Sequence, residues 1–143
     1  MGNSIQCLIS GGGYISNSTL KLFNSIGYPL CNGYGTSEVG IICVELRDKP
    51  KYRIQGFVGK PLKSVQAIIA NNQLIIAGKS TCEYFIYKNG QKVILNGNPF
   101  NTLDIANLNK KQYLTIYGRS DDIIINDNGE KINPDLIEKE LTF

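Results

Sequence analysis

Between Ser64 and Gly78 the chain reads SVQAIIANNQLIIAG, two runs rich in β-branched residues on either side of Asn71-Asn72. Asparagine tolerates the positive φ that a tight turn demands, so the spacing predicts a hairpin of two antiparallel strands. The same texture fills the middle of the chain. From about Arg47 no further long helical pattern occurs, and KVILNG, TLDIANL and QYLTIYG are short β-rich runs separated by turn residues.

The two ends differ from this middle. IQCLIS is a short apolar run stopped by Gly11, Gly12 and Gly13, the pattern of a buried strand opening into a loop. SNSTLKLFNSIG follows, with Ser16 or Asn17 as N-cap, Leu20, Phe23 and Ile26 at helical spacing and Gly27 as the stop. YPLCNGY and GIICVEL then read as two strands bracketing the stretch NGYGTSEVG. Past Gly118 the sequence RSDDIIINDNGEKINPDLIEKEL predicts a short strand, a turn at Asn128-Gly129 and a helix opened by Pro134. The fold class is therefore mixed α+β, with boundaries expected at 1–46, 47–118 and 119–143. No internal repeat is visible. Three pieces in series without one obvious core point to part of something larger.

Composition narrows the chemistry. The chain has 143 residues, 42% hydrophobic and 19% charged, as a soluble globular protein does. Fifteen basic side chains scattered among twelve acidic ones, a net charge of +3, make no basic stripe and argue against nucleic acid as a partner. Cys7, Cys31, Cys43 and Cys82 are too far apart for a C-x-x-C pair and read as buried free thiols of a reducing, cytoplasmic compartment. No run is long enough for a membrane span. The absence of histidine removes Ser-His and Cys-His nucleophile pairs and histidine metal sites, leaving carboxylates, hydroxyls, backbone amides and lysine.

Several motif-like stretches fail on spacing. Gly78-Lys79-Ser80 imitates the end of a P-loop, but Gln73 stands where the motif needs its first glycine. Neither glycine cluster extends to G-x-G-x-x-G. NDNGE resembles a calcium loop, yet Ile124 occupies the first ligand position and a plain turn is the better reading. The glycine triple and NGYGTSE each admit two readings, a connecting loop or a binding surface. As a surface, residues without a Cβ let a flat ring or a phosphate approach backbone amides. Tyr34 then offers a stacking face, Asn32 an amide for a purine edge, Thr36 and Ser37 hydroxyls for phosphate oxygens, and Glu38 a ligand for a hard cation such as magnesium. Asp104 and Arg119, taken singly, read as a capped turn and a solvated charge.

The order of these features changes the reading. SGGGYISNSTLKLFNSIGYPLCNGYGTSE, then GFVGKPL, then FNTLDIANLNKKQYLTIYGRSDDIIINDNGEKINPDLIEKEL resembles the adenylate-forming superfamily of acyl-CoA and aryl-CoA synthetases, peptide-synthetase adenylation domains and luciferases. The match covers nearly the whole chain, and several motifs in the right order make it specific. In that family a carboxylic acid attacks the α-phosphate of magnesium ATP to give an acyl adenylate, and the thiol of coenzyme A or of a carrier protein's phosphopantetheine then displaces AMP. The resemblance implies that Gly12, Gly13 and Tyr14 line one face of the adenine while Tyr34 stacks on the other. It assigns Asn32 to the adenine amino group, Ser37 to the phosphate, Glu38 to magnesium, and Asp104 and Arg119 to the ribose. Asp121 falls at the family's hinge, and Gly129 and Lys131 in the loop that meets the thiol-bearing arm.

The implied architecture is the α/β end of the large domain, a β-rich barrel-like subdomain and the start of a small C-terminal lid. There are departures. Ser37 replaces the usual threonine but keeps its hydroxyl, and Leu103 stands where a glycine normally precedes the ribose-binding aspartate. The family's upstream phosphate loop, the first half of the acyl pocket and the late lysine are missing, so the segment alone is not expected to catalyse adenylation. The remaining alternatives are a domain that loads a carrier protein and a non-catalytic nucleotide-binding or interaction module. The small carboxylic acid is not specified by the sequence.

Overall fold

The computed structural model describes residues 4–86, 89–122, 124–125, 131–132 and 134. In chain order the elements are β1 (Leu8–Ser10), α1 (Asn17–Ser25), β2 (Leu30–Thr36), β3 (Gly40–Val44), α2 (Pro50–Arg53), β4 (Lys60–Pro61), β5 (Val65–Ala70), β6 (Gln73–Gly78), β7 (Tyr84–Ile86), β8 (Lys92–Ile94), β9 (Phe100–Leu108), β10 (Leu114–Arg119), β11 (Ile124–Ile125) and β12 (Lys131–Ile132). They form a mixed sheet ordered β1-β2-β3-β4, an antiparallel sheet ordered β10-β9-β6-β5, and two small hairpins, β7-β8 and β11-β12. The mixed α+β class holds. Among the described residues the β-rich part is an open sheet with a hairpin and no closed barrel.

Local chemistry explains the elements. Ser16 caps α1, its Oγ accepting the Thr19 N–H at 3.0 Å, and Gly27 takes φ +88° just past the last turn. Of the three helix-spaced apolar residues, Leu20 is fully buried, Phe23 half-buried and Ile26 exposed. Asn24 completes the inner face: its amide donates to the Leu20 carbonyl at 2.8 Å and the Leu30 carbonyl at 3.0 Å, tying α1 to the start of β2. In the second sheet Asn71 and Asn72 adopt φ 50° and 62°, and β5 pairs with β6 from Val65↔Gly78 to Ala70↔Gln73, as the hairpin pattern requires.

A single core joins the two sheets, contrary to the expectation of pieces in series. Val39, Ile42, Cys43 and Val58 from the first sheet and its connections pack with Val65, Leu74, Ile76, Ala106 and Leu114 of the second. Burying each large aliphatic here contributes about 1.5–3 kcal/mol. Backbone bonds stitch the same seam: Val58 N–H to the Leu114 carbonyl at 2.9 Å, and Leu114 N–H to the Gly59 carbonyl at 2.8 Å. The sheets share one interior because a short stretch, 58–65, crosses directly from one to the other.

Buried charge is the feature the sequence did not announce. Glu45 is fully buried and Arg53 nearly so. Arg53 donates to Asn24 Oδ1 at 2.6 Å and to the carbonyls of Arg47 and Asp48 at 2.9 and 2.6 Å, so its charge is spent on fixed acceptors. Arg47 forks onto Glu45 with Nε–Oε1 at 2.7 Å and a second nitrogen to Oε2 at 2.5 Å. Its guanidinium carbon lies 4.0 Å from the Tyr113 ring centre and 4.6 Å from that of Tyr52. The cysteine expectation is also corrected: Cys31 and Cys43 are buried, but Cys7 is exposed and Cys82 half-buried.

Candidate functional site

The strand order places the two glycine-containing stretches side by side. β1 and β2 run parallel with Ser10 opposite Asn32, so Gly11–Gly13 leave β1 next to Gly33 and Tyr34. The stretch NGYGTSEVG is not a loop throughout. Asn32–Thr36 belong to β2, only 37–39 make the turn, and β3 resumes at Gly40. Glycine normally weakens a strand, but Gly35 meets a geometric need: a Cβ there would overlap the Gly40 carbonyl oxygen. Gly12, at φ +81°, turns the chain away from the sheet, and a Cβ at Gly12 or Gly13 meets nothing within 4 Å. The space above that loop is open to a flat ring.

A cleft of about 400 Å³ forms there, with Gly11, Gly12, Tyr34, Thr36 and Ser37 in its wall beside the apolar Ile9 and Ile41. Thr36 Oγ1 is buried beneath the cleft wall, with no hydrogen-bond partner among the described residues. A larger concavity of about 510 Å³ lies elsewhere, around the exposed Lys79 and Glu83. It holds none of the residues singled out above except the rejected Gly78-Lys79 pair. In the structure that pair ends β6 and enters a turn, where a P-loop would open a helix.

Asp104, on the other sheet, meets Tyr34 of the cleft wall. The Tyr34 hydroxyl donates to Asp104 Oδ2 across 70 positions of sequence. Burial first, and then the bond to the Asp104 carboxylate, hold the phenol well above the usual tyrosine range. A phenol held neutral in the folded state contributes stability that is complete below the unfolded value near pH 10 and is lost as pH rises beyond it. Tyr34→Phe is thus expected to cost about 1–2 kcal/mol at neutral pH, and urea titrations should show the gap to wild type narrowing above about pH 10. A gap independent of pH would contradict this assignment.

Arg119 lies opposite Asp104 in the β9-β10 register, and the two come within 3.9 Å. Its fork is turned to Asp121, with Nε–Oδ1 at 2.8 Å and a second contact of 2.6 Å, and this holds the Asp121 carboxyl below its usual range. Leu103, the departure noted in sequence, has φ +64°, the left-handed region that glycine fills without strain. Its N–H is caught by Asn101 Oδ1 at 2.8 Å, and its carbonyl accepts the N–H and hydroxyl of Ser120 at 2.7 and 2.9 Å. This clamp aims Asp104 inward. Leu103→Gly is expected to stay within about 0.5 kcal/mol of wild type as relief offsets lost contact, whereas Leu103→Val should cost about 1–2 kcal/mol in urea unfolding.

The other residues singled out are dispersed. Asn32 is buried in β2, Glu38 is half-buried in the 37–39 turn, and Tyr14 is exposed beyond the glycine loop. The Glu38 carbonyl accepts the Cys82 N–H at 2.7 Å, which fixes that turn. Among the described residues no group of three or more Cys, Asp or Glu is arranged around a metal. Gly129 lies outside the described residues. Lys131 begins β12, and nothing is described of its side chain. No helix among the described residues is long and apolar enough to cross a membrane.

Comparison with known proteins agrees with the motif order. No protein-family model matches the chain. A 2-succinylbenzoate–CoA ligase of Oceanobacillus iheyensis is 28% identical over 148 residues, covering 97% of this chain and 31% of the relative. A structure of Escherichia coli MenE with bound OSB-AMS matches with a TM-score of 0.75 at 27% identity, over 95% of this chain and 30% of the other. An O-succinylbenzoate coenzyme A synthetase from Bacillus subtilis, solved in complex with ATP and magnesium ion, shares the fold with a TM-score of 0.76 at 23% identity, over 99% and 32% of the two chains. The chain spans about a third of the length of the curated relatives it matches. By sequence and by fold along nearly all its length, it is similar to a segment of these CoA ligases, as the resemblance to adenylate-forming enzymes implies.

Proposed function

We propose that this chain supplies the adenine and ribose side of an ATP-dependent ligase that activates a small carboxylic acid as its adenylate and passes it to coenzyme A. The observation that carries the reading is the bond from Tyr34 to Asp104, which joins a ring offered for stacking to a carboxylate offered to sugar hydroxyls. An ionised carboxylate suits a pair of hydroxyl donors, and the Arg119 guanidinium beside it adds a rigid fork. The open space over Gly12 and Gly13 leaves room for the base. Ser37 and Thr36 line the same cleft, and in this reading the phosphate lies on their side of it. Relatives named as 2-succinylbenzoate–CoA ligases favour an aryl acid and coenzyme A over a carrier protein.

In this reading the residues act by position and charge. Tyr34 and the glycine loop hold the base, with Tyr14 and Asn32 at its edges, and Asp104 and Arg119 fix the ribose. The α-phosphate is thereby presented near Ser37. Glu38 would hold magnesium, which neutralises phosphate charge during attack. The boundaries 1–46, 47–118 and 119–143 follow the same assignment, with Asp121 at the hinge and Gly129 and Lys131 toward the thiol.

The test is a calorimetric titration of the folded chain with AMP. Weak but saturable binding is expected, and its absence at millimolar nucleotide would overturn a preformed pocket. Pyrophosphate exchange by the longer protein, run against fatty, aromatic and amino acids, would then name the acid.

A further inference from the structure

Cys7 and Cys31 are 24 positions apart in sequence, and the pairing of β1 with β2 brings their sulfurs to 3.3 Å. The geometry follows from strand alternation. Ile9 is in register with Cys31, and Cys7, two residues earlier, projects to the same face as Ile9. The bond from Leu8 N–H to the Pro29 carbonyl at 3.0 Å continues the pairing down to that level. Cys7 is exposed while Cys31 is only 3% exposed. No other pair of sulfurs lies within hydrogen-bonding reach among the described residues.

We propose that Cys7 and Cys31 form a reversible intramolecular disulfide, with Cys7 the sulfur that meets a peroxide first. The pair is asymmetric in the way such sites require, one thiol open to reagent and one sheltered behind it. Burial, with the hydrogen bond from Cys7 adding to it, pushes the Cys31 thiol up to about 12, which keeps it from reacting on its own. The Cys7 thiolate attacks the outer oxygen of the peroxide. The O–O bond breaks, two electrons pass from sulfur to oxygen, and the departing alkoxide or hydroxide takes up the proton the thiol released. Cys31 sulfur then attacks the Cys7 sulfenic sulfur. The S–S bond forms, the S–O bond breaks, and hydroxide leaves as water with the Cys31 proton. Closure from 3.3 Å to a bond of roughly 2.0 Å needs an approach of about 1.3 Å, within reach of side-chain rotation and slight strand adjustment. The bond would pin the base of β1 to β2, the strands whose other ends carry the glycine loop and Tyr34.

The experiment treats the folded chain with equimolar hydrogen peroxide, alkylates remaining thiols in denaturant, and maps peptides by mass spectrometry. Cleavage after Lys21 separates Cys7 from Cys31, and cleavage after Tyr34 separates Cys31 from Cys43. The expected result is a Cys7 peptide joined to the Cys31 peptide with loss of two hydrogens. Dithiothreitol should undo it, Cys7→Ser should lack it and Cys82→Ser should retain it. In Cys31→Ala the reaction should stop at a Cys7 sulfenic acid that dimedone traps. Recovery of unlinked Cys31 with Cys7 unreacted or over-oxidised, or Cys7 joined to a second chain, would overturn the proposal. These readouts do not depend on nucleotide binding.

Discussion

Arg47→Ala is expected to lower the unfolding free energy by about 3–5 kcal/mol, because removing one partner of a buried pair leaves the other charge uncompensated. Glu45 has no exposure to water, and Arg47 supplies it with a two-pronged bond and a third contact from its own backbone N–H at 3.1 Å. The guanidinium also closes the seam between the sheets, since Tyr113 precedes β10 while Tyr52 lies in α2. Urea unfolding followed by circular dichroism would measure the loss. The double variant Glu45→Leu/Arg47→Met should recover most of it, because no buried charge is left unpaired. A single variant within about 1 kcal/mol of wild type would show that the pair behaves as a surface salt bridge despite its burial.

Asp104→Ala is expected to weaken AMP binding roughly 10- to 100-fold, the equivalent of about 1.5–3 kcal/mol for hydrogen bonds to a charged group. The comparison with adenine alone makes the prediction specific. Adenine has no ribose, so its affinity should fall little in Asp104→Ala. If the two ligands lose affinity equally, Asp104 acts only by positioning the Tyr34 ring. Tyr34→Phe keeps the stacking face and should retain most of the adenine affinity, whereas Tyr34→Ala should lose it. Titration calorimetry on the same protein preparations, with circular dichroism confirming that each variant is folded, reads all of these.

The parts of the fold that were legible are those decided locally. The Asn71-Asn72 hairpin and the Ser16 cap follow from residues within a few positions of one another, and both are found as expected. The strand read over YPLCNGY is found, but it runs on through Gly35 and Thr36, an extension that glycine hides because it weakens strands in isolation. Here Gly35 is needed by the carbonyl of Gly40 across the β2-β3 pair, a requirement only the pairing reveals. The shared core and the Glu45-Arg47-Tyr113 cluster are not legible, since each joins residues far apart in the chain that carry no local pattern. For the site, motif order selected Tyr34, Asp104 and Arg119, but the sequence could not say that Tyr34 bonds Asp104 or that Asp121 engages the Arg119 fork. The strained backbone at Leu103 was visible only as a departure from a glycine.

The seam where Ile42 meets Leu74 and Leu114 has a thermodynamic corollary. Because Tyr34 and Asp104 stand on sheets that cannot slide past each other without opening this interior, their separation is set during folding. A ligand spanning them therefore meets a rigid gauge and loses little entropy in organising its receptor. Affinity should track the integrity of packing some distance from any contact, so that a cavity at Leu74 would be felt by the ligand as play between two jaws.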